Sequence, residues 1–212
     1  MPLTMPVKGG GDFKSVPAGS YVAVCDMVVF LGLQPGSGKF PEPKFQIYIR
    51  FEIPSERVEF EKDGKKFNLP TVIGQTYTAS MSEKANIRKH LEGWRGKQFT
   101  DNEAKSFDVG SILGKCCMLS VVEKTTDKGT YSNIASMSAL PRGMQQVKAE
   151  SPLYYYAPDD VSCFESLPQW LREKIEAQIK MPEKTKNPNY DPDQPPVSAY
   201  EDQGITDDDI PF

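Results

Sequence analysis

The chain has 212 residues, 38% of them hydrophobic and 25% charged, with 18 prolines and 16 glycines, enough for a packed core in one sizeable domain or two small ones with a large share of loop. No run approaches the roughly 18–20 apolar residues of a membrane helix, and residues 1–14 lack the apolar core and basic flank of a signal peptide, so a soluble intracellular protein is expected. The net charge of -4 is uneven: no basic residue follows Lys186, and setting aside Asp191, Asp193, Glu201, Asp202, Asp207, Asp208 and Asp209 leaves 22 acids against 25 bases.

Residues 1–15 have no periodicity and read as a flexible arm. Residues 21–33, YVAVCDMVVFLGL, are a β-rich run too long for an ordinary strand unless it bends. Residues 34–43 are punctuated by Gly and Pro and read as a loop. Residues 44–53 then alternate: Phe45, Ile47, Ile49, Phe51 and Ile53 share one face, and Lys44, Gln46, Tyr48, Arg50 and Glu52 share the other. This predicts a half-buried strand with an aromatic and two cations on its open side. Pro54 is expected to end it, and Asp63-Gly64 marks a turn in a charged excursion.

Residues 71–81 read as a third strand. Ser82 is a candidate cap for a helix carrying Ile87, Leu91 and Trp94 on one face. Thr100 and Glu103 have capping-box spacing for a short second helix. Residues 115–124 and 130–140 form two strands around a turn at Asp127-Lys128-Gly129. Three strands, a helical insert and a hairpin are the pattern of a mainly β, five-stranded OB-fold barrel, with the insert between strands three and four. A β-sandwich or an α+β sheet is the alternative. The expected divisions are an OB domain over 16–142 and an extension over 143–181, with a helix at about 167–180. Residues 182–212, rich in Pro and acids, are expected to be a disordered tail.

Cys25, Cys116, Cys117, Cys163 and the single His90 have no metal-ligand spacing, and neither a metal nor another cofactor is expected. Residues 32–39 superficially resemble a Walker loop, but no Ser or Thr follows Lys39, and Phe40-Pro41 stand where its helix would start. His90 lacks an evident catalytic partner, so an enzyme is not expected.

The chain ends Asp207-Asp208-Asp209-Ile210-Pro211-Phe212. An acid run before an apolar Ile-Pro-Phe suits a docking ligand: Phe212 fills a pocket, its carboxylate meets a base, and the acids steer the encounter. These residues resemble the C-terminal tip of bacterial single-stranded DNA-binding proteins. The body resembles a group of bacteriophage-encoded OB-fold single-stranded DNA-binding proteins. The segments carrying that likeness are Val16-Pro17-Ala18-Gly19-Ser20-Tyr21, Glu83-Lys84-Ala85-Asn86-Ile87-Arg88-Lys89, Trp94-Arg95-Gly96-Lys97, Leu113-Gly114-Lys115 and Leu167-Pro168-Gln169-Trp170-Leu171. The resemblance implies a protein that coats single-stranded DNA and docks replication, recombination or repair enzymes of phage or host through its tip. Self-association is left open.

Binding single strands without sequence preference takes aromatic platforms for bases and cations along the phosphates. The residues fitting that role are Tyr48 with Arg50 and Lys44, Lys39 and Phe40 in the first loop, and Tyr77 in strand three. Arg88 in the insert, Lys115 and Lys124 flanking strand four, and Tyr131 in the last strand extend the set. A rival expectation is an adaptor that uses the tail to recruit or block host replication proteins without touching DNA.

Overall fold

The computed structural model describes residues 16–36, 38, 41–62, 64–126 and 129–179. The expected arm and acidic tail lie outside that range. The long apolar run does bend: β1 (Gly19–Gln34) is a single strand with register shifts between Cys25 and Met27 and between Phe30 and Gly32. Asp26 is the extra residue of the first shift, and it switches the alternation. Ala23, Cys25 and Val28 join one core cluster; Met27, Val29 and Leu31 join another. A strand buried on both faces reads as a continuous apolar run rather than an alternating one. At the second shift Gly32 has φ 74°, which glycine adopts without strain.

β2 (Lys44–Lys62) pairs with β1 through Glu52 and runs well past the proline expected to stop it. The shift between Ile53 and Arg57 absorbs Pro54, Ser55 and Glu56, and a bulge tolerates the missing proline donor. The strand then resumes against β3 (Lys65–Thr78), so the expected charged excursion is a regular two-stranded ribbon.

α1 (Asn86–Arg95) starts after Ala85, not at Ser82. It buries Ile87 and Leu91, and its Trp94 Nε1 donates to the Cys116 carbonyl at 2.8 Å. α2 (Asp101–Ser106) has the predicted capping box: Thr100 and Glu103 satisfy each other's backbone N–H. After a 3-10 turn at Val109–Ile112, β4 (Cys116–Thr126) and β5 (Gly129–Ser138) form the predicted hairpin.

The hydrogen-bonded order is β3-β2-β1-β4-β5, an antiparallel sheet. It curls around a core that includes Phe51, Ile53, Leu119, Val121 and Ile134, with α1 packed against both end strands, β3 and β5. The protein is thus mainly β.

The C-terminal extension completes the body rather than trailing from it. β4 pairs with β1 only as far as Val24; beyond that, β6 (Tyr154–Tyr156) takes the vacated edge in parallel at Met27–Val29. α3 (Gln169–Glu176) lies over the sheet's outer face. Leu167, Leu171 and Ile175 pack there on Met27, Val29 and Leu31, all at most 4% exposed. Full burial of such a side chain stabilises by about 1.5–3 kcal/mol. Gln34 Nε2 donates to the Lys174 carbonyl at 3.0 Å, and the Ile179 N–H donates to Leu33 at 2.8 Å, fixing the end of β1 to the extension. Among the described residues no helix is long and apolar enough to cross a membrane.

Candidate functional site

The open face expected of β2 is not open. Arg50 donates to both Asp26 carboxylate oxygens, at 2.7 and 3.1 Å, and Asp26 is fully buried. Burial pushes the Asp26 carboxyl up from its ordinary value, and the Arg50 hydrogen bonds and charge pull the other way. Tyr48 meets Trp170 of α3 edge-on at 5.0 Å, and burial pushes its phenol up to about 12. Its hydroxyl lies over Gly74, where any side chain would collide with it. Glu52 is fully buried and accepts from the backbone N–H groups of Glu150 and Ser151 at 2.7 and 2.9 Å.

Two other expected contact residues are also internal. Tyr77 is 4% exposed and hydrogen-bonds His90 Nδ1 at 2.9 Å. Arg88, 7% exposed, donates to the carbonyls of Met81 and Phe99 and to Glu92, tying α1 to the segments before and after it. A guanidinium with three neighbouring acceptors is a natural staple between chain segments. Tyr77 and Arg88 are therefore corrected from surface to interior positions, while Tyr48 and Arg50 are partly buried and engaged by Trp170 and Asp26.

The remaining candidates are exposed but scattered. Lys44 starts β2 opposite Gln34, at the far end of β1. Phe45, expected in the core, is 41% exposed beside it and stacks on Phe30 at 5.9 Å. Tyr131, 49% exposed, pairs with Lys124 on the β4–β5 hairpin, which extends past the start of β1. Lys115 is exposed at an open recess of about 740 Å³ between α1, α2 and β4. There Arg95 lies over the Phe99 ring at 4.2 Å and pairs with Glu103 at 2.9 Å. Lys39, Phe40 and the docking tip from Asp207 to Phe212 lie outside the described residues.

The ribbon of residues 57–62 and 65–70 was not expected from the sequence. Its register pairs Val58 with Leu69, Phe60 with Phe67 and Lys62 with Lys65. The Phe60 and Phe67 rings stack at 5.2 Å, 16° from parallel. The ribbon's other face is polar: Arg57 bonds Asn68 at 2.6 Å and Glu150 at 2.6 Å, and Asn68 bonds Glu59 at 2.9 Å. The signal was present as apolar alternation on either side of Asp63-Gly64, masked by treating Pro54 as a terminator. Both hairpins extend past the end of the sheet where β1 begins. Tyr21, near that end, has its phenol raised by burial first and then by Glu56 at the root of one hairpin and Glu123 of the other.

Cys25 and Cys117 lie in the enclosed core, where burial raises their thiols and disfavours the thiolate. Burial lowers the His90 pKa, and a backbone hydrogen bond with Ala135 works against that shift. Among the described residues no group of three or more His, Cys, Asp or Glu could hold a metal ion. Comparisons with protein-family models, with curated proteins and with solved structures return no match.

Proposed function

We propose that this chain is an OB-fold single-stranded DNA-binding protein of bacteriophage type, which docks partner enzymes through Asp207–Phe212. The observation that carries this reading is the neighbour order β3-β2-β1-β4-β5 with α1 across the seam between β3 and β5. That is the cyclic order of an OB barrel opened at its β3–β5 contact, with the helix in its customary place between strands three and four. OB folds take oligonucleotides on strands two and three and on the loops between strands one and two and between strands four and five. In this chain those loops are flanked by exposed aromatics with nearby lysines: Phe45 with Lys44 at the first, and Tyr131 opposite Lys124 at the second. Lys39 and Phe40 belong to the first loop by sequence.

The direct test is anisotropy of labelled oligo-dT titrated with the full chain at several salt concentrations. The expected result is saturable binding whose log K falls with log salt by about 0.7 per phosphate neutralised. The adaptor reading draws support from the burial of Tyr77 and Arg88 and from the engagement of Tyr48 by Trp170 and of Arg50 by Asp26, which leaves the most DNA-like cluster of the sequence largely occupied within the chain. Absence of saturable binding at ~50 mM salt would favour it.

A further inference from the structure

The β2–β3 ribbon combines three features with no structural use apparent in the body. Past the bulge at residues 54–56 it pairs with neither β1 nor β4, so it stands as an isolated two-stranded element. Such a hairpin is marginal in water unless something further covers or stabilises it. β3 is unbroken from Lys65 to Thr78, so Phe67 and Leu69 fall on the same side as Ile73 and Tyr77. The ribbon's apolar side thus continues the lining of the core out to where no core remains, and Val58, Phe60, Phe67 and Leu69 are only half-buried.

Charge is sorted between the two sides. Glu59 and Glu61 alternate away from Phe60 and share the opposite side with Asn68 and Lys66, where Glu59 is held by Asn68. The side that bears the two rings has no acid, and it ends at Lys65, which is exposed. The ribbon's end, residues 62–66, carries three lysines against one aspartate. A half-buried parallel ring stack with no carboxylate on its side of the ribbon and Lys65 two residues from Phe67 suits a base-and-phosphate ligand. A protein partner would use the apolar surface but would have no need of this sorting.

We propose that Phe60 and Phe67 form a base-stacking ledge for single-stranded DNA, with Lys65 meeting a flanking phosphate. The ledge rests on the DNA-binding reading and adds to it a contact on the β2–β3 hairpin, outside the two loops named above. Bases extend the existing Phe60–Phe67 stack, and the ribbon acts as a finger alongside the strand. The cross-strand stack presets the ring orientation before the ligand arrives, so little side-chain freedom is lost on binding.

The test compares full-length wild type with Phe60→Leu/Phe67→Leu and with Lys65→Gln, each checked for an unchanged far-UV spectrum. The probe is labelled oligo-dT. Leucine keeps the apolar cross-strand pair and removes the π-face. The first variant should bind about ten- to a hundredfold more weakly with an unchanged salt slope. The second should lower the magnitude of the slope by about 0.7. Wild-type binding with both variants indistinguishable from it overturns the ledge and leaves the DNA-binding reading standing. No binding by wild type overturns both. Sedimentation velocity on the same samples covers the remaining occupant: if the leucine variant shifts the oligomeric state and leaves DNA affinity unchanged, the ribbon serves a second copy of this chain, and the ledge is refuted.

Discussion

Two stretches of one strand, β2, meet opposite fates. Residues 44–53 show clean alternation and the most DNA-like polar face in the sequence, yet beyond Gln46 that face is sealed under α3 and the segment at Glu150. Residues 57–62 look like charged loop, yet they pair with residues 65–70 in a ribbon that carries a half-buried aromatic pair. The difference lies in what covers each stretch. Alternation reports which side chains share a face, but it cannot say whether the polar face looks onto water or onto another part of the chain. Here a second core outside the sheet captures Tyr48, and the Arg50 charge is met by Asp26, the bulge residue of β1.

If the sealed face is structural, its groups should be costly to disturb. Arg50→Ala leaves the Asp26 carboxylate buried without its partner and should cost about 3–5 kcal/mol in urea unfolding. Replacing both, as Asp26→Leu with Arg50→Met, should recover most of that loss. An exposed Arg50 would cost no more than about 0.5 kcal/mol, and that result would break the comparison.

Acid sensitivity is expected to be smaller and to come from the enclosed core. His90 has its pKa lowered below 6.5 by burial, so the unfolded chain takes up a proton before the folded one does. Its contribution is complete above pH 6.5 and is lost as the pH falls from there through the depressed folded value. Urea midpoints for wild type should drop over that window, and His90→Gln should drop less. Equal slopes in both proteins would refute the assignment to His90.

On the ribbon the smallest stability effect is expected. Phe60→Leu/Phe67→Leu gives up only the extra of an aromatic pair, about 0.5–1.5 kcal/mol. Measured beside Arg50→Ala, it separates a face that holds the fold from one that the fold can spare.

Much of the framework was readable from local pattern: the bent first strand, the capping box at Thr100 and Glu103, the β4–β5 hairpin and the apolar stripe of α3. These depend on neighbours close in sequence. The misplacements share a cause in long-range packing. Tyr77 is held inside by His90, which α1 brings beside it, and Arg88 could not be seen as a staple before the Met81 and Phe99 carbonyls converged on it. Pro54 misled because a proline in a bulge and a proline that ends a strand look alike in sequence. Of the expected contact residues, Lys44, Lys115 and Tyr131 are exposed, and the pairing of Phe60 with Phe67 was not legible in the sequence.

Hydrogen–deuterium exchange of the full chain with and without oligo-dT tests the central claim most directly. The prediction is slowed exchange at residues 57–70 and in the β4–β5 hairpin, with α3 and residues 47–53 unchanged. Faster exchange in α3 on adding DNA, with new protection at Tyr48 and Arg50, would contradict it, because DNA would then be displacing the extension to reach the face that this account holds sealed.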